Sequence, residues 1–172
     1  LADETVLTLP RVLVSQESID GETRKDLLEL SDGARIEVVL MRYIQRRSVC
    51  LSTQVGCAVG CQFCATGQMG FRRHLKTSEI LAQLLHIARE LKAQDRRVTN
   101  IVLMGMGEPM LNYDNTLASI RRMIDPKGLG YGQRRITLST AGIVPGIRRF
   151  SKEDLQVNLA VSLHAATDDV LS

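Results

Sequence analysis

The chain of 172 residues has no tryptophan, three tyrosines and three phenylalanines, so aromatic side chains make up 3% of it. Binding of single-stranded nucleic acid through stacking needs aromatic faces interleaved with basic residues, and this chain cannot supply them. No apolar run approaches the roughly 20 residues that span a bilayer, and the N-terminus lacks the charged, apolar and small-residue succession of a signal peptide. The chain contains four cysteines, three of them clustered, which suits a metal site in a reducing compartment better than a disulfide framework. These absences predict a cytoplasmic protein with no membrane partner. A hydrophobic content of 44% and a net charge of +3 fit one globular domain with a sizeable core. The chain begins at Leu1 and stops just after Thr167-Asp168-Asp169, which reads as the N-cap and acidic first turn of a helix. The expectation is a piece of a longer protein.

What is present is concentrated between Val55 and Cys64. Cys57, Cys61 and Cys64 follow a C-x3-C-x2-C spacing on a short glycine-punctuated loop, and thiolates are soft ligands suited to iron–sulfur clusters or zinc. Structural zinc closes its tetrahedron with a fourth Cys or a His, whereas a catalytic centre keeps one position open. The nearest candidates for closure, Cys50 and His74, stand at the wrong spacing. The residues therefore point to a 4Fe-4S cluster with one exposed iron, with structural zinc and plain core or redox cysteines as alternatives.

The rest of the chain reads as alternating strands and helices. Arg11 to Val14 could be an edge strand. Lys25 to Leu30 and Arg35 to Met41 flank Ser31-Asp32-Gly33-Ala34, and Asp-Gly between strand-like runs is a hairpin signal. Ser48 to Ser52 is a third strand leading into the cysteine loop. Thr77-Ser78-Glu79 opens a helix with Ile80, Leu81, Leu84, Leu85, Ala88 and Leu91 at helical spacing. Strands at Asn100 to Met104, Arg135 to Ser139 and Val157 to Leu163 alternate with helices from Tyr113 to Ile124 and Gly146 to Phe150. This order predicts an α/β fold of parallel βαβ units, about half a barrel with one unpaired edge, whose functional residues gather at the carboxyl ends of the strands. Those ends read Gly105 to Glu108, Ser139-Thr140 and Ser162-Leu163-His164. Residues 1–47 form an N-terminal hairpin extension and residues 48–172 the first part of the core domain.

Six arginine pairs recur, Arg46-Arg47, Arg72-Arg73, Arg96-Arg97, Arg121-Arg122, Arg134-Arg135 and Arg148-Arg149. Several on one face would make a surface that steers RNA, and solvated helix and loop ends are the plainer alternative.

Cys57-x3-Cys61-x2-Cys64 with Phe63 before the last cysteine resembles the radical S-adenosylmethionine (SAM) superfamily, and Gly105-Met106-Gly107-Glu108-Pro109 resembles its motif for the methionine amino group. More closely, the chain from about Lys25 onward is similar to the bacterial dual-specificity RNA adenine C2-methyltransferases, because it also carries Cys50 seven residues before the first cluster cysteine. The resemblance implies a partial radical SAM (βα)6-type barrel that methylates C2 of adenosine in 23S rRNA and certain tRNAs. In that family one SAM methylates a cysteine near the C-terminus and a second SAM yields the radical that activates it. A second cysteine then frees the product by forming a disulfide.

Cys50 occupies the position of this second cysteine, and Glu37 matches the family's proton acceptor. Gly107, Glu108, Ser139, Ser162, Leu163 and His164 match its SAM contacts. The methyl-carrying cysteine has no counterpart, so the chain by itself is not expected to turn over. The resemblance further implies an electron donor such as flavodoxin or ferredoxin, and a monomer. Two other readings stand beside this one: a related C8-methylating enzyme, and a non-catalytic RNA-binding module with a structural metal. Taken singly, each site residue has a plain alternative: a core cysteine for Cys50, a solvated carboxylate for Glu37 or Glu108, a turn polar group for Ser139 or His164. Met104, Met106 and Met110 read as packing.

Overall fold

The computed structural model describes residues 9–163. Gly33, at φ +76°, lets the chain reverse between β2 (Thr23–Glu29) and β3 (Arg35–Arg42). The Asp32 carboxylate accepts the Ala34 N–H at 3.0 Å, and the Leu30 N–H donates to the Ala34 carbonyl at 2.8 Å. This is the expected Asp-Gly hairpin, and β1 (Arg11–Glu17) adds the expected edge strand against β2. The chain then turns into β4 (Arg47–Cys50), antiparallel to β3.

Beyond β4 come β5 (Gln54–Gly56), the short helix α1 (Ala65–Gln68) and β6 (Phe71–His74), which pairs with β5 as a two-stranded ribbon. Sequence periodicity gives no sign of this ribbon. The helix α2 (Thr77–Ala93), β7 (Asn100–Leu103), α3 (Tyr113–Ile124), β8 (Ile136–Thr140), α4 (Val144–Phe150) and β9 (Asn158–Val161) complete the alternation. Among the described residues the main sheet has the order β1-β2-β3-β4-β7-β8-β9, with β4, β7, β8 and β9 parallel. Four parallel strands, with the β9 edge unpaired among the described residues, are the expected half-barrel, and the N-terminal hairpin continues the same sheet. Thr167-Asp168-Asp169 lies outside the described residues.

Side chains alternate across a strand, so the sheet has two faces. Ile36, Val38, Leu40, Val49, Leu51, Ile101, Leu103, Ile136 and Leu138 are buried and cluster with Ile80, Leu84, Ile87 and Leu91 of α2 and Ile120 and Met123 of α3. Burying a Leu or Ile side chain contributes about 1.5–3 kcal/mol, and this layer is the main core. The buried face of α2 is turned from the predicted stripe: Leu81, Leu85 and Ala88 are only partly buried, while Ala82 and Gln83 are buried. Met106 and Met110 pack in the core as expected, but Met104 is half-exposed.

The opposite face carries the remaining strand residues. Val39 pairs with Cys50, Cys50 with Val102, Val102 with Thr137, and Thr137 with Asn158. Paired residues share a face, so Glu37, Val39, Cys50, Val102, Thr137, Ser139, Ala160 and Ser162 all lie on this inner surface.

Candidate active site

The loop from Cys57 to Cys64 hangs between the ribbon strand β5 and α1. Gly56, at φ +73°, closes its entry; a Cβ there would meet the Gly70 carbonyl oxygen at 1.8 Å. The Cys57 N–H donates to that same carbonyl at 3.0 Å, and the Cys64 N–H to the Cys61 carbonyl at 3.1 Å. A Cβ on Gly67 would stand 2.6 Å from the Cys61 carbonyl oxygen, so α1 rests directly on the loop backbone. Cys57, Cys61 and Cys64 are half-buried free thiols.

Three free thiols on one loop whose backbone is held by the Gly70 and Cys61 carbonyls fit a centre that takes three thiolates.

The glycine motif after β7 lies against the segment leading into this loop. Gly105 donates its N–H to the Leu51 carbonyl at 3.0 Å, and Cβ atoms on Gly105 or Gly107 would stand 2.8 Å from Leu51 backbone or 2.4 Å from the Gln54 Cβ. Gly107 sits at φ +98°. Between them, the Met106 carbonyl accepts the N–H groups of Thr53 and Gln54 at 2.8 and 3.1 Å.

Buried polar side chains that the sequence reading missed complete the scaffold. The Ser52 hydroxyl donates to the Glu37 carbonyl at 2.6 Å and accepts the Met106 N–H at 2.9 Å. Gln83, fully buried on α2, accepts the Ser52 N–H at 2.8 Å and donates to the Ser52 carbonyl at 3.0 Å. The Gln54 carboxamide oxygen accepts the Glu108 N–H at 2.9 Å, and Asn112 donates to the carbonyls of Thr53 and Leu75, both at 2.8 Å. One signal was legible: Gln83 falls in the i, i+3 register of Ile80, a polar residue on an apolar face. His74, weighed as a zinc ligand, is instead bonded through Nδ1 to the Gln54 amide at 3.0 Å.

Glu108 is 3% exposed. One carboxylate oxygen accepts the Met110 N–H at 2.9 Å and the other the Ala141 N–H at 2.8 Å, which ties the end of β7 to the end of β8. The hydroxyls of Ser139 and Ser162 are 3.1 Å apart, so two of the predicted contacts meet at the ends of β8 and β9. Leu163 is exposed, and His164 lies outside the described residues. Cys50 and Glu37 share the inner face; burial pushes the Cys50 thiol up to about 11. Glu37 pairs with Lys25 at 2.9 Å, with both side chains partly solvated.

A three-thiolate loop at the carboxyl end of a parallel half-barrel, braced by a glycine motif with a buried glutamate, defines the radical SAM class. The family model for the radical SAM superfamily matches residues 51–172, and the chain belongs to that superfamily. It is 56% identical over 151 residues to the dual-specificity RNA methyltransferase RlmN 1 of Myxococcus xanthus, covering 88% of this chain and 42% of that protein. Identity to the ribosomal RNA large subunit methyltransferase N of Nitrosopumilus maritimus is 49% over 160 residues, covering 89% of this chain and 46% of that protein. The crystal structure of a radical SAM methyltransferase from Sphaerobacter thermophilus superposes with a TM-score of 0.91 at 50% identity, covering 96% of this chain and 48% of that one. The chain spans about half the length of the curated relatives it matches. The superfamily and these relatives imply a 4Fe-4S cluster and SAM as cofactors. Among the described residues no helix is long and apolar enough to cross a membrane.

Proposed function

We propose that the protein carrying this chain methylates C2 of an adenosine in 23S rRNA and in certain tRNAs through a methyl-cysteine intermediate. The observation that carries the reading is Cys50. A member of the superfamily needs only the three loop cysteines to hold its cluster, yet this chain has a fourth thiol. It sits on the inner face next to Val39, on the side of the sheet that also presents Glu37. The relatives named as RNA methyltransferases support the substrate class.

Cys57, Cys61 and Cys64 would hold the cluster, and Gly107, Glu108, Ser139, Ser162, Leu163 and His164 would contact SAM. When bound, these cofactors supply the one-electron chemistry required at adenine C2, a carbon without an acidic hydrogen for polar alkylation. The protein's part is placement. Gly105 and Gly107 bring the Met106–Glu108 backbone against the cysteine-loop stem. Each oxygen of Glu108 accepts one N–H and retains a lone pair for an ammonium group. Glu37 would take the proton released from the base, and Cys50 would attack the methyl-carrying cysteine sulfur to free the product as a disulfide forms. None of the four cysteines of this chain is left over for the methyl-carrying role. The hairpin of residues 1–47 would serve as the extension that brings Glu37 to residues 48–172. An external donor such as flavodoxin or ferredoxin would reduce the cluster of a cytoplasmic monomer.

The test is mass spectrometry of RNA from cells expressing the intact gene or its Cys50→Ala form. The expected results are 2-methyladenosine with the former, and with the latter RNA retained on the protein in place of free product. A methyl group at C8, or unchanged product release from Cys50→Ala, overturns the reading.

A further inference from the structure

Three of the six arginine pairs stand directly ahead of neighbouring parallel strands. Arg46-Arg47 leads into β4, Arg96-Arg97 precedes β7, and Arg134-Arg135 abuts β8. Ser48 is in register with Asn100 and Ile101 with Ile136, so the three pairs line up at the amino-terminal pole, opposite the cysteine loop. Adjacent strands lie about 4.8 Å apart, which sets the three starts within about 10 Å. Backbone bonds fix them: the Arg47 N–H donates to Thr99 Oγ1 at 2.9 Å and the Asn158 amide to the Arg134 carbonyl at 2.9 Å.

Elsewhere one arginine of each pair is neutralised, Arg73 by Asp32 and Glu79, Arg121 by Glu153, Arg149 by Asp114. At this pole, among the described residues, none of the six forms an ion pair. Stretches 43–47, 95–99 and 129–135 contain six arginines and one carboxylate, Asp95. Arg97 and Arg135 border a cavity of about 490 Å³ whose wall includes Gly130, Tyr131 and Gly132. Tyr43, 45% exposed, lies under the Arg46 guanidinium at 4.3 Å, and Ile44 beside it is 99% exposed.

From this arrangement we infer that the amino-terminal pole is a second RNA contact surface, at which Arg97 and Arg135 grip backbone phosphates of a segment distinct from the one presenting the target adenine. The inference rests on the proposed RNA substrate. Unpaired guanidinium groups match phosphate bidentately, and the strands of four or five residues set this pole about 15 Å from the reacting end, within reach of one folded RNA.

The experiment measures fluorescence anisotropy of a labelled rRNA hairpin with the intact protein across a potassium chloride series. The double variant Arg97→Glu, Arg135→Glu should bind at least about tenfold more weakly. Its slope of log K against log salt should be shallower by about 1.5, the effect of losing two phosphate contacts. SAM affinity and cluster absorbance should be unchanged. Arg89→Glu, a charge reversal on the exposed side of α2, should leave the slope as it is. If the double variant loses SAM binding as well, Arg97→Gln, Arg135→Gln takes its place under the same criteria. Unchanged RNA affinity, or an equal loss from Arg89→Glu, overturns the inference. So does stabilisation of the wild type, but not the variant, by inorganic phosphate or AMP with no change in RNA affinity, which marks a small-anion site. C2 methylation with unaltered RNA affinity in the variant retires this surface alone. Variant-sensitive RNA binding by a protein that methylates nothing supports the surface and retires the methyltransferase.

Discussion

A thiol that titrates at about 11, as Cys50 does because of its burial, is ionised in only about one molecule in 10⁴ at pH 7. The thiolate is the nucleophile in disulfide exchange, so burial holds Cys50 in its unreactive thiol form at pH 7. Alkylation of Cys50 by iodoacetamide, followed by peptide mapping, should accelerate about tenfold per pH unit from 7 to 10 and level off near 11. A plateau below pH 9 would show a thiol activated by a neighbour. Gly107 is decided by space as well as by its φ of +98°. A methyl group there would stand 2.4 Å from the Gln54 Cβ, and Gln54 accepts the Glu108 N–H. Gly107→Ala should cost about 2–4 kcal/mol from overpacking and the unfavourable φ. In the intact protein this appears as a lower urea midpoint together with weakened SAM affinity, since the residue displaced is the one that orients Glu108.

Helix α2 couples the core to the site through one side chain. Gln83 satisfies both backbone groups of Ser52, and Ser52 in turn holds Met106 and the Glu37 carbonyl. Gln83→Leu keeps the volume but orphans a buried N–H and a buried C=O, each worth about 1–3 kcal/mol. Differential scanning calorimetry should show a loss of about 2–4 kcal/mol, and iron content after reconstitution should fall because the loop stem is no longer fixed. A loss confined to stability, with full iron occupancy, would separate the helix from the site. The sequence was legible where local pattern and tertiary need agree. Asp32-Gly33 makes its hairpin, and the runs at 101–103 and 136–138 make strands that bury Ile101, Leu103, Ile136 and Leu138. The β5–β6 ribbon was hidden because strands of three and four residues are too short for a period, and their pairing depends on Gly56 meeting Gly70. The buried face of α2 was misread by part of a turn, because a hydrogen-bonding demand from Ser52 drew Gln83 inward and left Leu81 and Leu85 toward the rim. The three cysteines stood out by their spacing, and Glu108 by the resemblance of its glycine motif to that of the superfamily. Ser52, Gln54 and Asn112 could not, because their partners are backbone groups that only the fold brings near.

Across the molecule, two ion networks fasten the hairpin that carries Glu37 to the helix that braces the cysteine loop. Arg73 joins Asp32 of the β2–β3 turn to Glu79 at the start of α2. On the helix-covered face, Asp26 meets His86 at 2.9 Å and Arg24 at 3.1 Å, and Arg24 also pairs with Glu90. Burial alone would raise the Asp26 pKa, but hydrogen bonds from His86 and Ser15 and the charge of Arg24 outweigh it and leave the pKa lowered. The Asp32 pKa is held at about 2, first by the Arg73 hydrogen bond and then by the Ala34 N–H. A carboxylate whose pKa is depressed by folding contributes its full stability above the unfolded value of about 3.9 and loses it as pH falls through the folded one. The stability conferred by Asp32 should therefore be constant from pH 7 to about 5 and decline between about 4 and 2, and that conferred by Asp26 should be lost as pH falls below 3.8 through its lowered value. Asp26→Asn isolates the buried member: at pH 7 it leaves Arg24 and His86 facing a neutral amide, at a cost of about 3 kcal/mol. As pH falls through the lowered pKa of Asp26 the wild-type carboxylate protonates, so the two proteins should converge. Urea unfolding of the iron-free intact protein at pH 7 and at successively lower pH measures the gap. A gap that keeps its size throughout would mean that Asp26 acts by packing, and that the hairpin is held to α2 by its apolar layer alone.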